Sequence, residues 1–217
     1  MKIEMIEISI LDILEFLGTY AFAISGIRLA ASKSFDWFGA FVIGMVTAIG
    51  GGTIRDLMLG VNPFWMDDPV YLIESFIAFL TVLLFSKKLV RHDYSLFIFD
   101  TIGLAFFTVV GVEKTLDAGF PLWTATIMGS ITGAAGGIIR DVLINEIPLV
   151  FRKEIYAMAC ILGGIVFGLC QYLNLPLIAV ELISGFSVFE LRYLAVAKHL
   201  SLPHLTELEQ NDTENKD

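Results

Sequence analysis

Charged residues are scarce in this sequence, and most of them are acidic. They occupy 17% of the 217 positions, while 56% of the residues are hydrophobic. A soluble domain usually has about 25% charged and about 45–50% apolar residues, so the composition argues against a soluble enzyme. The formal net charge is −9 and no basic stripe is present, which argues against a nucleic-acid-binding protein.

Residues that bind metals or act as nucleophiles are also few. Cys160 and Cys170 lie on one apolar run, roughly 15 Å apart if that run is a helix, which is too far for a disulfide. The three histidines lie outside the apolar runs, and no HExxH, GxSxG or CxxC spacing occurs. We therefore expect no metal centre, no cofactor and no enzymatic activity.

Long apolar runs are what the sequence has instead. A membrane helix needs about 20 apolar residues. The runs of this kind are 9–30, 37–58, 70–87, 95–113, 122–143, 154–173 and 176–197. The sequence thus predicts an all-α polytopic membrane protein with seven transmembrane helices, followed at 198–217 by a polar, disordered tail.

The distribution of lysine and arginine predicts how the chain is oriented. If the N-terminus is outside, the basic residues at inner helix ends and loops are Arg28, Lys33, Lys87, Lys88, Arg91, Arg152, Lys153, Arg192 and Lys198. Lys2 and Lys114 are then the outer ones. Since basic residues favour the cytoplasmic side, we expect a multi-pass protein of the cell (inner) membrane, with the N-terminus outside and the C-terminus in the cytoplasm.

The chain contains an internal repeat. When it is shifted by 85 residues, 13–85 aligns with 98–170 without a gap, and Gly-Gly-x-Ile-Arg-Asp at 51–56 returns at 136–141. Each unit, 9–90 and 95–173, holds three apolar runs, so the second unit enters the membrane from the opposite side. This pattern predicts two inverted three-helix repeats, with 176–197 as an extra seventh helix.

The glycine-rich segments are the first candidate for a functional site. A glycine cluster weakens a membrane helix, so we expect kinks or breaks whose freed carbonyls could coordinate a cation. The candidate pore residues are Gly50, Gly51, Gly52, Gly136, Gly137, Thr47 and Thr132. Two alternatives stay open: the glycines can serve close helix packing, and the threonines can bond to their own helix.

Charges within the apolar runs are the second candidate, because charges at membrane depth are usually functional. They are Glu15, Arg55, Asp56, Asp100, Arg140 and Asp141. The repeat places the first three toward the outside and the last three toward the inside. Each cluster sums to −1, as in a carboxylate ring that attracts cations. The alternative is that the Arg–Asp pairs are structural clips between helices.

The twin Gly-Gly-x-Ile-Arg-Asp segments, each in the second helix of a three-helix repeat, resemble the trimeric intracellular cation channel family, and its prokaryotic branch in particular. The resemblance covers about residues 9–197. It implies a homotrimer in the lipid bilayer, with one pore in each subunit beside the second and fifth helices. It also implies permeation by monovalent cations, chiefly K⁺ with Na⁺. The lysine-centred pore and lipid site of the animal members has no matching motif in this sequence, and Lys114, late in the fourth run, is only a weak candidate for it.

A second function class remains open. The same prokaryotic group has also been labelled a glycine-transporter domain. The alternative is therefore a secondary transporter of a small amino acid such as glycine, working by alternating access. Arg55 and Arg140 are the candidates to bind the carboxylate of such a substrate.

Overall fold

The computed structural model describes residues 9–85, 89, 93–151, 155–198 and 200, and within these ranges every regular element is a helix. In chain order the α-helices are α1 (Ile10–Ser32), α2 (Trp37–Leu59), α3 (Phe64–Asp67), α4 (Val70–Leu84), α5 (Asp93–Asp117), α6 (Leu122–Leu143), α7 (Ala157–Tyr172) and α8 (Leu177–Ala197). A 3-10 turn, Leu149–Phe151, lies between α6 and α7. The predicted all-α class is confirmed.

The helices have the length and composition of a membrane protein. Among the described residues, four helices (α1, α2, α5 and α6) are long and apolar enough to cross a membrane, and α4 and α7 are apolar but shorter. Helix α8 has 21 residues, which include Glu181, Glu190 and Arg192. The count of seven spans therefore stays a prediction.

Some features used in the sequence analysis lie outside the described residues. They are the polar tail beyond residue 200 and the basic residues Lys2, Lys87, Lys88, Arg91, Arg152 and Lys153.

Local signals explain where the first two helices begin and end. The Ser9 side chain accepts a hydrogen bond from the Asp12 amide at 3.1 Å, and the Asp12 carboxylate accepts one from the Ser9 amide at 3.0 Å. This reciprocal capping satisfies amides at the start of α1. Asp36 caps α2 through the Gly39 amide at 2.7 Å, and Gly60 ends it in the left-handed conformation at φ +75°.

The core lies where α1, α2, α5 and α6 meet. Helices α1 and α5 lie side by side, and the rings of Phe22 and Phe107 stack with their centroids 5.5 Å apart. Helix α4 packs against α1 and α2, α7 packs against α6 and α5, and α8 packs against α7 and α5. Phe22 and Phe107 are equivalent under the 85-residue shift, so the two repeat units meet through matching side chains.

Helices α2 and α6 cross at the centre with their backbones in direct contact. A Cβ atom built on Gly51 would lie 2.0 Å from the Thr132 carbonyl oxygen, and one built on Gly136 would lie 2.2 Å from the Thr47 carbonyl oxygen. No side chain fits at such a distance, so glycine is required at both positions. Residue 51 meets 132 and residue 47 meets 136, so the two helices run antiparallel through the crossing.

A helix break at the glycines, one of the two expected outcomes, is wrong, whereas the expected kink stays a prediction. Helix α2 continues through 50–52, and α6 continues through 136–137. The contacts at the crossing give the physical reason, because Gly51 and Gly136 let the facing backbone approach while both helices continue. Close packing, the alternative left open by the sequence, accounts for these glycines in the structure.

Candidate functional site

The first charged cluster joins α1 to the end of α2. The Arg55 guanidinium donates from Nε to Asp56 Oδ1 at 2.8 Å and from Nη2 to Glu15 Oε1 at 3.4 Å. The Arg55 side chain is fully buried, and those of Glu15 and Asp56 are 3% and 5% exposed. The structure thus brings together the three residues that the sequence placed on the outer side.

The second cluster repeats this arrangement with α5 and α6. Arg140 donates from Nε to Asp141 Oδ1 at 2.9 Å and from Nη1 to Asp100 Oδ1 at 2.7 Å. Its Nη1 also donates to Ser25 Oγ of α1 at 2.7 Å. The three predicted residues meet again, and the serine adds a contact with the other repeat unit.

Both aspartates also tie their helix to the segment that follows. Asp56 Oδ2 accepts a hydrogen bond from the Phe64 amide at 2.8 Å, and Asp141 Oδ2 accepts one from the Leu149 amide at 3.0 Å. Each carboxylate therefore binds the chain through both oxygens. This part of each cluster works as a structural clip, which was the alternative reading of the Arg–Asp pairs.

A second cation joins each cluster. The Lys114 ammonium lies 2.8 Å from both carboxylate oxygens of Glu15, and Arg192 Nη2 of α8 lies 3.6 Å from Asp100 Oδ2. Each cluster now has two carboxylates and two cations, so its formal charge is zero. The expected net charge of −1 is wrong, because Lys114 and Arg192, whose positions near helix ends predicted them at the membrane faces, instead join the clusters.

Tyrosines complete the two sites. Tyr71 donates to Glu15 Oε2 at 3.2 Å, and Tyr156 donates to Asp100 Oδ1 at 3.4 Å. The Tyr156 ring also lies under the Arg192 guanidinium, 4.6 Å from its central carbon, a distance typical of a cation–π contact. These tyrosines are equivalent under the 85-residue shift, so the repeat itself held the signal that would have found them.

The two clusters lie on opposite sides of the α2–α6 crossing. Residues 47 and 51 of α2 meet residues 136 and 132 of α6, so the centre of the crossing lies near residue 49 on α2 and residue 134 on α6. Arg55 and Arg140 each follow their centre by six residues, roughly 9 Å along a helix at about 1.5 Å per residue. Because the helices are antiparallel, these displacements point in opposite directions.

The remaining predicted residues are buried and have partners in the chain. Thr47 Oγ1 donates to the Ile43 carbonyl at 2.6 Å, and Thr132 Oγ1 donates to the Met128 carbonyl at 2.7 Å. Both hydroxyls therefore bond to their own helix. Built Cβ atoms on Gly50, Gly52 and Gly137 would contact Ile139, Phe64 and Tyr156, respectively.

A small cavity of about 180 Å³ adjoins the second cluster. Arg140 and Asp141 line it together with Leu29 and Leu149, and the ion pair between Lys33 and Glu146 lies at its wall. Lys33 follows α1 and Glu146 follows α6, so this ion pair joins the two repeat units beside the cluster. The cavity therefore lies between the second cluster and this ion pair.

Comparison with known proteins places this geometry in a family. The family model described as Glycine transporter matches the chain twice, at 12–87 and 97–172, and the two matches begin 85 residues apart. The UPF0126 inner membrane protein YadS of Escherichia coli strain K12 is 43% identical over 193 residues, covering 88% of this chain and 93% of that protein.

Solved structures of trimeric intracellular cation (TRIC) channels share the fold. The TRIC orthologue from Rhodobacter sphaeroides matches with a TM-score of 0.84 and 32% identity, covering 88% of this chain and 99% of that one. A prokaryotic TRIC channel in 0.5 M KCl matches with a TM-score of 0.80 and 33% identity, covering 89% and 98%. The chain therefore belongs to the family described as Glycine transporter and is a member of the prokaryotic branch of the TRIC channel family.

Proposed function

We propose that this chain is a monovalent cation channel, conducting K⁺ and also Na⁺, that assembles as a homotrimer with one pore in each subunit. The observation that carries the proposal is the pair of buried charged clusters on either side of the α2–α6 crossing. They occur in a chain that shares the fold of proteins described as trimeric cation channels. K⁺ and Na⁺ prefer oxygen ligands, and carboxylate oxygens lie on both sides of that crossing.

In this proposal α1, α2, α4, α5, α6, α7 and α8 are the seven spans. Units 9–90 and 95–173 form an inverted pair, α8 is the extra helix at 176–197, and the tail lies in the cytoplasm. Two observations support the inverted relation: the contacts recur with an 85-residue offset, and α2 and α6 exchange equivalent contacts while running antiparallel. We place the protein in the inner membrane, with the N-terminus outside.

The proposed path runs beside α2 and α6, and the crossing at Gly51 and Gly136 is its narrowest part. The backbone contact there leaves no room for an ion between the two helices in this conformation. The outer cluster offers oxygens of Glu15, and the inner cluster offers oxygens of Asp100. Because each cluster is neutral overall, cations are attracted at short range by individual carboxylates rather than by a net negative field.

The glycine transporter remains the second candidate, because the matching family model carries that description. Its substrate carboxylate would need a cationic partner. Arg55 and Arg140 are fully buried, and protein carboxylates bind Nε and one terminal nitrogen of each guanidinium. The other terminal nitrogen, Arg55 Nη1 or Arg140 Nη2, is buried and has no hydrogen-bond partner among the described residues, so glycine would have to enter a closed site to reach it. The structure thus favours the channel.

Reconstitution distinguishes the two functions. Purified protein is placed in planar bilayers for current recording and in vesicles for uptake of labelled glycine. The channel proposal expects unitary currents whose reversal potential follows the K⁺ gradient. Gradient-driven, saturable glycine uptake without unitary currents would instead establish the transporter. Glu190→Gln, an exposed change on α8, serves as the matched control for variants in the clusters.

A further inference from the structure

A third group of acidic residues lies apart from both charged clusters. It surrounds a cavity of about 470 Å³ where α1 begins, α5 ends and α8 begins. Glu113 and Asp117 of α5 line this cavity with Glu181 of α8 and Ser9, the residue that caps α1. In the proposed topology these three helix ends lie at the outer face of the membrane.

Two of these carboxylates are buried and line the same cavity. Glu113 is 8% exposed and Glu181 is 2% exposed, and both side chains border the cavity from neighbouring helices, α5 and α8. Each keeps one oxygen, Oε2, that is buried and without a hydrogen-bond partner among the described residues. Buried carboxylate oxygens need a partner, and the two residues that carry these oxygens both line the cavity.

No basic side chain of the described residues neutralises this pair. The ion pairs of the described part of the chain involve neither Glu113 nor Glu181. The charged groups that act on Glu113 are Glu181 and Asp117, which are both acidic. Lys114, the next residue after Glu113, is held by Glu15 instead. Two buried carboxylates that border one cavity without a basic partner must take up a proton or bind a cation.

The size of the cavity and the number of ligands indicate which cation fits. Among the described residues, no group of three or more acidic, histidine or cysteine side chains is placed so that it could hold a metal ion, so at most two such side chains can bind an ion here. That excludes a fully protein-coordinated Ca²⁺ among them, since Ca²⁺ takes about 6–8 oxygen ligands. Mg²⁺ keeps several waters and is usually bound through one or two carboxylates. A cavity of about 470 Å³ has space for such a hydrated ion, because a water molecule occupies about 30 Å³.

We propose that Glu113 and Glu181 form a binding site for one hydrated divalent cation of the Mg²⁺ class, with exposed Asp117 at its entrance. A proton taken up by the two carboxyl groups is displaced when the ion binds. The site joins α5 to α8, next to Lys114. It goes beyond the proposed channel function, and its occupancy is measured without any current.

The test uses the full chain, purified in detergent and stripped of metals with a chelator. Mn²⁺ serves as the probe for Mg²⁺, because the electron paramagnetic resonance signal of free Mn²⁺ is lost on binding. We expect about one Mn²⁺ site per chain, displaced by MgCl₂ but not by KCl of equal ionic strength, since a screened surface effect would respond to both salts. Binding should weaken as the pH is lowered and the carboxylates are protonated.

Variants decide whether these two residues form the site. Glu181→Gln and Glu113→Gln should each weaken Mn²⁺ binding by at least about tenfold, because affinity depends on ligand charge. Glu190→Gln, on α8 but outside the cavity, should bind like the unmodified chain. Each glutamine removes repulsion within the pair, so both variants should stay folded, and Asp117→Asn provides a third measurement. Absence of Mn²⁺ binding, or binding unchanged in both glutamine variants, overturns the proposal and leaves the pair protonated.

Discussion

The helix crossing predicts that alanine lowers the stability of the protein much more at Gly51 than at the neighbouring Gly50. A Cβ atom on Gly51 would lie 2.0 Å from the Thr132 carbonyl oxygen, and an ordinary contact begins at 3.4 Å. Helices α2 and α6 would therefore have to separate by about 1.4 Å to restore van der Waals distance. The obstacle is backbone, which cannot move aside as a side chain does. Overpacking of this kind costs about 1–3 kcal/mol.

Gly50→Ala is the matched control. A Cβ atom on Gly50 would lie 3.0 Å from Cδ1 of Ile139, the far end of a flexible side chain. Both substitutions gain the same helix propensity, about 1 kcal/mol for alanine over glycine. The difference between the two variants therefore isolates the crossing, and we expect Gly51→Ala to be less stable than Gly50→Ala by about 1–3 kcal/mol.

The assay is thermal unfolding in detergent, followed by tryptophan fluorescence. For a chain of this size, each kcal/mol shifts the midpoint by about 2–4 °C, so the Gly51→Ala midpoint should lie several degrees below that of Gly50→Ala. Gly136→Ala should show the same fall, because its Cβ atom would lie 2.2 Å from the Thr47 carbonyl oxygen. If Gly51→Ala unfolds at or above the Gly50→Ala temperature, the close approach of the two backbones is refuted.

Further predictions concern the second cation of each cluster, the carboxylates that these cations bind, and the membrane topology. Lys114→Met should lower stability, and a double-mutant cycle with Glu15→Gln should give a coupling of about 0.5–3 kcal/mol by chemical denaturation. Arg192→Met should lower the free energy of unfolding by about 3–5 kcal/mol, because it leaves Asp100 without one of its buried cations. Arg192→Lys should recover part of this loss when both variants are unfolded with denaturant. In bilayer recordings, Glu15→Gln and Asp100→Asn should each lower unitary K⁺ conductance more at 0.1 M than at 1 M KCl, since each leaves a net positive cluster whose field salt screens; equal losses at both concentrations would contradict this. A reporter active only in the cytoplasm, fused after Asp217, should be active, and silence there would reverse the topology.

The sequence predicted the helices closely where polar residues bound the apolar runs. The predicted run 37–58 corresponds to the helix Trp37–Leu59, and the predicted run 122–143 corresponds to the helix Leu122–Leu143. The short helix α3, Phe64–Asp67, was not predicted, because four residues carry too little periodicity. Its position depends on a tertiary contact, the hydrogen bond from the Phe64 amide to Asp56.

The glycine segments show why a local sequence pattern cannot distinguish a helix break from a close helix crossing. A glycine cluster in an apolar run has the same sequence signature whether the helix breaks there or a second helix crosses it. The outcome depends on what faces Gly51, and that is Thr132, 81 residues away in the chain. The repeat did contain this information in part, because Gly51 and Gly136 are equivalent and each meets the residue four positions before the other.

Only the cluster residues that the 85-residue repeat relates to one another could be predicted from the sequence. The repeat relates Glu15 to Asp100 and Arg55 to Arg140, so each trio could be assembled from the sequence alone. The second cation of each cluster does not follow the repeat. Lys114 reaches Glu15 from the other unit, which requires α1 and α5 to be neighbours, and no periodicity within one unit shows that.

The second cations of the two clusters are not related by the repeat, and this difference gives the extra helix α8 a defined role. Under the 85-residue shift the counterpart of Lys114 is Leu29, which cannot pair with Asp100 as Lys114 pairs with Glu15. Arg192 of α8 supplies the missing cation from outside the repeat, at 3.6 Å from Asp100. Without it, the second cluster would bury an excess negative charge, and an uncompensated buried charge is strongly destabilising. Helix α8 is therefore part of the second cluster, and the two halves of the protein reach the same charge balance by different routes.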